Sequence, residues 1–183
     1  MNSKTRKSSI AGSAGALEIA VDLPAGVSRG FAVIAHPHPL YGGTLDNKVV
    51  QTLARAFVQT GWTAVRFNFR GVGGSAGSHD EGRGELDDFL AVVQHAAPAG
   101  EAQAVLALAG FSFGAFVATH AFARLQPERQ IDKLVLVGEA RGDHGDDLPI
   151  HRDRRMVIEY DDAVAAMPQT LPPCRGYGQV TFA

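Results

Sequence analysis

Of 183 residues, 45% are hydrophobic and 20% charged, the balance of a globular chain and far from the polar, highly charged regime of disorder. Lys and Arg number 17 against 19 Asp and Glu, a net charge of −2 that excludes the basic footprint of a nucleic-acid-binding surface. The one cysteine, Cys174, excludes an internal disulfide framework, and no apolar run approaches the roughly 20 residues of a membrane span. Lys4, Arg6 and Lys7 could begin a signal peptide, but Ser8, Ser9, Gly12 and Ser13 stand where its apolar stretch belongs. These features predict a cytoplasmic protein of one domain, 1–183, with no nucleic-acid or membrane partner.

Short apolar runs alternate with helical periodicity, the pattern of a parallel sheet with crossover helices. Ala16 to Leu23 reads as an early strand, and Phe31 to Ala35, after Pro24, Gly26 and Gly30, as a buried one. Val49, Val50, Leu53 and Phe57 recur at three- and four-residue spacing between Asp46, the expected N-cap, and Gly61, the expected stop. Trp62 to Phe69 predicts the next strand and runs into the glycine-rich turn from Gly71 to Gly77. Leu86, Phe89, Leu90 and Val93 form a helical stripe behind Asp80, Glu81 and Glu85, whose charge suits the positive end of the helix dipole. Ala104 to Phe111 is a strand, the stripe Phe113, Phe116, Val117 and His120 a helix, and Lys133 to Val137 another strand. Beyond Gly138 the pattern loosens, with only Ala163 to Ala166 helical and a short edge strand expected near the end, within 176–183.

Three segments carry chemistry. Gly110-Phe111-Ser112-Phe113-Gly114 is a Gly-x-Ser-x-Gly at a strand-to-helix junction, where a sharp turn presents a serine hydroxyl and needs small residues two positions to either side. The helix that follows aims unpaired N–H groups and its positive end at charge developing beside Ser112. His36-Pro37-His38-Pro39 follows the strand from Phe31, where such a site recruits a second oxyanion donor. Proline has no N–H, which leaves the backbone of His38 as the expected donor of this stretch. A His-x-His metal pair is the competing reading of the same residues, but no third and fourth ligand can be named, so no metal is expected. The third segment, Asn68 to Ser75, ends a strand; its Gly71, Gly73 and Ala76 match a dinucleotide fingerprint but lack an acid ending the next strand, so no organic cofactor is expected.

Together these motifs resemble the α/β-hydrolase fold, and within it the small bacterial serine hydrolases with a His-Pro-His-Pro loop, related to dienelactone hydrolase and esterases. The likeness covers Ala16 to Val137. It implies a doubly wound, mostly parallel α/β sheet and a hydrolase of ester-like bonds in small molecules, with Ser112 as nucleophile and the N–H groups of Phe113 and His38 as oxyanion hole. The family pattern then requires an acid and, after it, a histidine. Ile150 to Arg155 resembles the family's His-Gly-x-x-Asp segment, with Arg152 in place of the glycine and Arg155 in place of the acid. No histidine follows His151, and the tail over 138–183 is divergent or truncated relative to the family. Asp147 and His151 respect the order Ser, acid, His and are the candidate acid and base. His120, on the apolar stripe, reads as a satisfied core histidine, and His79 and His95 as surface or loop residues. A catalytically impaired homologue, acting as a binding module or arising from a disrupted gene, is the alternative reading.

Overall fold

The computed structural model describes residues 5–98, 104–138 and 155–158. Strands β1 (Arg6–Gly12), β2 (Gly15–Asp22), β3 (Phe31–Ala35), β4 (Thr63–Phe67), β5 (Leu106–Phe111), β6 (Ile131–Val137) and β7 (Arg155–Ile158) alternate with α1 (Lys48–Gln59), α2 (Arg83–Ala96) and α3 (Phe113–Leu125). Among the described residues the strands form one sheet in the order β1-β2-β4-β3-β5-β6-β7. β1 and β2 are antiparallel to each other, and β2 to β4; from β4 to β7 every pairing is parallel. The alternation of apolar runs and helical stripes predicts a parallel sheet with crossover helices, and the doubly wound form implied by the family resemblance is the one found.

β3, β4, β5 and most of β6 are buried on both faces, which is why these parallel strands read as nearly continuous apolar runs. Val33, Val65, Phe67, Leu108 and Leu136 point to the side covered by α2 and α3. Ala32, Ile34, Ala64, Ala107 and Val135 point to the other side, where Val50, Ala54 and Phe57 of α1 cover them. Neighbouring residues of one strand therefore serve two different cores, as a two-residue period requires.

Several details depart from the sequence reading. β1 was not expected: Arg6, Lys7, Ser8 and Ser9 are exposed and polar, and the strand is held as the outer half of a hairpin with β2. The N-cap of α1 is Asn47, whose side chain accepts from Val49 N–H at 2.9 Å, and not Asp46. Asp46 instead faces charge, with Lys7 Nζ at 3.0 Å and Arg66 Nη1 at 3.3 Å. The buried guanidinium of Arg66 also pairs with Asp22 at 3.0 Å and donates to Leu45 O at 2.9 Å, so its charge is compensated on every side. β7 was not foreseen as a strand, and it pairs parallel to β6 from Leu134↔Arg155 to Val137↔Ile158. The helix expected at Ala163 to Ala166 and the edge strand expected within 176–183 lie outside the described residues. Among the described residues no helix is long and apolar enough to cross a membrane.

Candidate active site

In an open parallel sheet, ligand sites form beyond the carboxyl ends of the strands. Here the segments after β3, β4 and β5 meet at that edge. Ser112 follows β5 directly and precedes α3, with φ 53° and ψ −118°. A positive φ is costly for a residue with a side chain, and in this chain only Glu81 shares it among described non-glycine residues. The turn is held by Ser112 N–H donating to Val137 O at 2.8 Å, while Ser112 O accepts from Ala115 N–H at 2.9 Å to start the helix. A Cβ on Gly110 would fall on the Gly114 carbonyl, and one on Gly114 would fall on the carbonyls of Ala35 and His36. Both glycines are therefore demanded by contact, and the second presses the start of α3 against the end of β3.

That contact carries the β3 loop to the serine. His36 is fully buried; its Nδ1 lies 2.6 Å from Pro37 O and its Nε2 accepts from Phe69 N–H at 3.0 Å. The proton therefore sits on Nδ1, and both ring nitrogens are engaged by the protein. Burial lowers the pKa of His36 to about 4, opposed by the hydrogen bond to Pro37. His38 caps a 3₁₀ turn, Pro39–Tyr41, its Nδ1 accepting from Leu40 N–H at 3.2 Å, and its ring lies 4.9 Å from that of Phe113. Burial is the main cause that lowers its pKa, with a smaller push from His79 against an opposing pull from Glu85. Among the described residues, neither His38 N–H nor Phe113 N–H has a protein acceptor. Leu40 and Tyr41, 70% and 88% exposed, stand beside His38 as an apolar rim.

The turn after β4 is fastened from several directions. Asn68 Oδ1 accepts from Leu45 N–H at 2.8 Å, and Asn68 Nδ2 donates to Glu18 at 2.7 Å, the same Glu18 oxygen that accepts from Gly74 N–H at 2.9 Å. Arg70 reaches back to the fully buried Asp88 of α2 at 2.8 Å, which raises the pKa of its guanidinium above the ordinary value, mainly through that hydrogen bond. The Asn-Phe-Arg-Gly segment is thus fastened as a scaffold beside the site.

Of the sequence-predicted residues, the structure brings together Ser112, Phe113 and His38. Asp147 and His151 lie outside the described residues. β7 enters the sheet beside Leu134, three positions short of the edge that carries Ser112. Among the described residues no side chain hydrogen-bonds to Ser112 Oγ. His120, half-buried, has its Nδ1 2.9 Å from Phe116 O, and His95 is exposed on the last turn of α2. His79 lies in the loop ahead of α2, one of the two places expected of it, but it is half-buried there and its ring packs against those of both His38 and Phe113. The nearest carboxylate, Glu85, is six residues away, a spacing with no periodic signature.

A strained serine between a parallel strand and a helix, faced by a loop from the neighbouring strand, defines an α/β hydrolase. The sequence pattern of the serine aminopeptidase family S33 matches residues 40–157, and the chain belongs to that family of hydrolases. A solved structure of an α/β serine hydrolase homologue from Coxiella burnetii is 36% identical, with a TM-score of 0.74 over 84% of this chain and 73% of that one. An α/β serine hydrolase without a lid, from Xanthomonas campestris, is 39% identical, with a TM-score of 0.73 over 87% of this chain and 72% of that one. An uncharacterised protein of Rickettsia prowazekii is 44% identical over 100 residues, which are 53% of this chain and 40% of that protein. The match thus spans less than half of the length of that curated relative.

Proposed function

We propose that this chain is a one-domain, cytoplasmic serine hydrolase of the His-Pro-His-Pro, dienelactone-hydrolase-like kind, cleaving an ester-like acyl bond of a small molecule without metal or organic cofactor. The observation that carries this reading is the backbone of Ser112: a positive φ at a strand-to-helix junction is strain that presents the hydroxyl and turns the next N–H toward the same point. Ser112 Oγ attacks the carbonyl carbon, and the oxygen that gains charge is received by Phe113 N–H and His38 N–H. A base takes the hydroxyl proton and passes it to the departing alcohol; water then attacks the acyl-serine and restores the enzyme. Asp147 and His151 are the candidates for the acid and base. The rim of Leu40 and Tyr41 favours substrates with an apolar, uncharged portion.

A second reading is supported by one observation: His36, His38 and His120 each spend ring nitrogens on backbone partners, and no described histidine reaches Ser112 Oγ. Without a base, the oxyanion donors and binding alone leave about 10³- to 10⁴-fold acceleration over water.

The deciding experiment compares wild type, Ser112→Ala and His151→Ala on a short-chain nitrophenyl ester and on an aminoacyl nitroanilide, with fluorophosphonate labelling alongside. Ester turnover lost in both variants supports the complete enzyme with His151 as base. Turnover lost only with Ser112→Ala moves the base elsewhere. Slow labelling with weak turnover supports the impaired homologue, and preference for the anilide replaces the ester with a peptide-like bond.

A further inference from the structure

Three rings from three separate segments close on one another beside Ser112. The His38 ring is 4.8 Å from that of His79 and 4.9 Å from that of Phe113, and His79 and Phe113 are 5.6 Å apart. His38 belongs to the loop after β3, His79 to the segment ahead of α2, and Phe113 to the first turn of α3. Behind His79 lies Glu85, whose side chain is wholly buried: His79 Nδ1 is 2.8 Å from Glu85 Oε1, a close contact that lacks hydrogen-bond alignment. Glu85 cannot swing, because its two oxygens accept N–H groups from Asp80 at 2.9 Å and Gly82 at 2.8 Å at the start of α2. The turn that places it contains Glu81 at φ 53°, the second strained non-glycine residue of the described chain. The carboxylate that backs His79 is thus fixed, and the turn that places it is assembled at a cost in backbone strain.

We propose that His79 is a positioning residue of the candidate site: backed by the fixed carboxylate of Glu85, its ring packs against those of His38 and Phe113 and so fixes their two backbones relative to each other. The proposal rests on the reading of those two N–H groups as oxyanion donors. A donor that must meet charge only in the transition state is useful when it is already aimed, so its support acts on kcat and leaves ground-state binding alone. The ring of His79 performs this by shape. Phenylalanine can fill the same place, and Glu85 would keep its two backbone donors.

The test uses the full chain as wild type, His79→Ala and His79→Phe, with thermal unfolding to verify folding and Ser112→Ala to check the nucleophile. With a short-chain nitrophenyl ester, His79→Ala is expected to lower kcat by about 10- to 100-fold while KM stays within about threefold, and His79→Phe to recover most of kcat. The backbone amide resonances of His38 and Phe113 are expected to shift or broaden in His79→Ala and return in His79→Phe, with those of α1 unmoved. Wild-type kcat in His79→Ala, a loss carried by KM, failure of phenylalanine to restore, or unmoved amides would overturn the proposal. If turnover survives Ser112→Ala, or wild type has none, the functional reading fails on its own, and the amide resonances still decide whether His79 holds the two backbones.

Discussion

Ser112 is held in a conformation that its side chain disfavours, and a single residue at such a φ and ψ costs about 1 to 3 kcal/mol. Glycine adopts the same angles without penalty, and loses part of the gain through its freer unfolded chain. Ser112→Gly is therefore expected to abolish hydrolysis while raising stability by about 1 kcal/mol, or roughly 2 to 4 °C in Tm for a chain of this size. Calorimetry checks this, and a lower melting temperature in the variant would mean that the turn stores no strain. Few single residues set activity and stability so directly against each other.

At the scale of elements, His36 staples the end of β3 to the backbone that follows β4, since Phe69 N–H donates to its Nε2. Protonating Nε2 would turn that acceptor into a donor facing a donor. The pKa of His36 falls from 6.5 to about 4 on folding. A depressed folded value means that the unfolded chain binds the extra proton first as pH drops. The contribution is complete above the unfolded value and is lost as pH falls from 6.5 toward about 4. We expect unfolding free energy to drop by about 2 kcal/mol between roughly pH 7 and pH 5 from this group, visible in urea midpoints, with the His36 ring unprotonated by NMR across that range. A flat profile, or a ring that titrates normally, would contradict the staple. The elements themselves were legible where burial on two faces forced long apolar runs, as in Phe31–Ala35, or where one covered face imposed a helical stripe, as around Val50 and Phe57. They were illegible where the chain lies at a margin. β1 offers polar residues to solvent, and β7 is four residues long beside a run of arginines. The choice of Asn47 over Asp46 as cap turned on the charges of Lys7 and Arg66, which arrive from distant strands. The contacts of His79 were illegible for the same reason, because they join two loops and the first turn of a helix that are distant in sequence.

Over the whole molecule, one edge of the sheet gathers the ends of β3, β4 and β5, and the order β4-β3-β5 makes those three ends spatial neighbours despite their distance in sequence. The chemistry assembled there is made of backbone N–H groups, a hydroxyl and aromatic rings. His36, the first histidine of the His-x-His pair, already spends both ring nitrogens on protein partners. Dialysis against a chelator is accordingly expected to leave ester turnover unchanged; a loss restored by zinc or manganese would replace the serine mechanism with a metal-assisted one.

The two glycines that flank the serine have a history to tell as well as a geometry. A side chain at either one would strike backbone: Gly114's own carbonyl for Gly110, the carbonyls of Ala35 and His36 for Gly114. The close packing around them demands both glycines whether or not anything is hydrolysed, whereas the strained serine between them is, under the proposed function, kept for its hydroxyl. If the proposed reaction is the one this chain performs, a lineage released from it is expected to surrender the serine first and keep the glycines. In descendants of this gene, a Gly-x-x-x-Gly with its centre changed would mark a retired enzyme still wearing its fold.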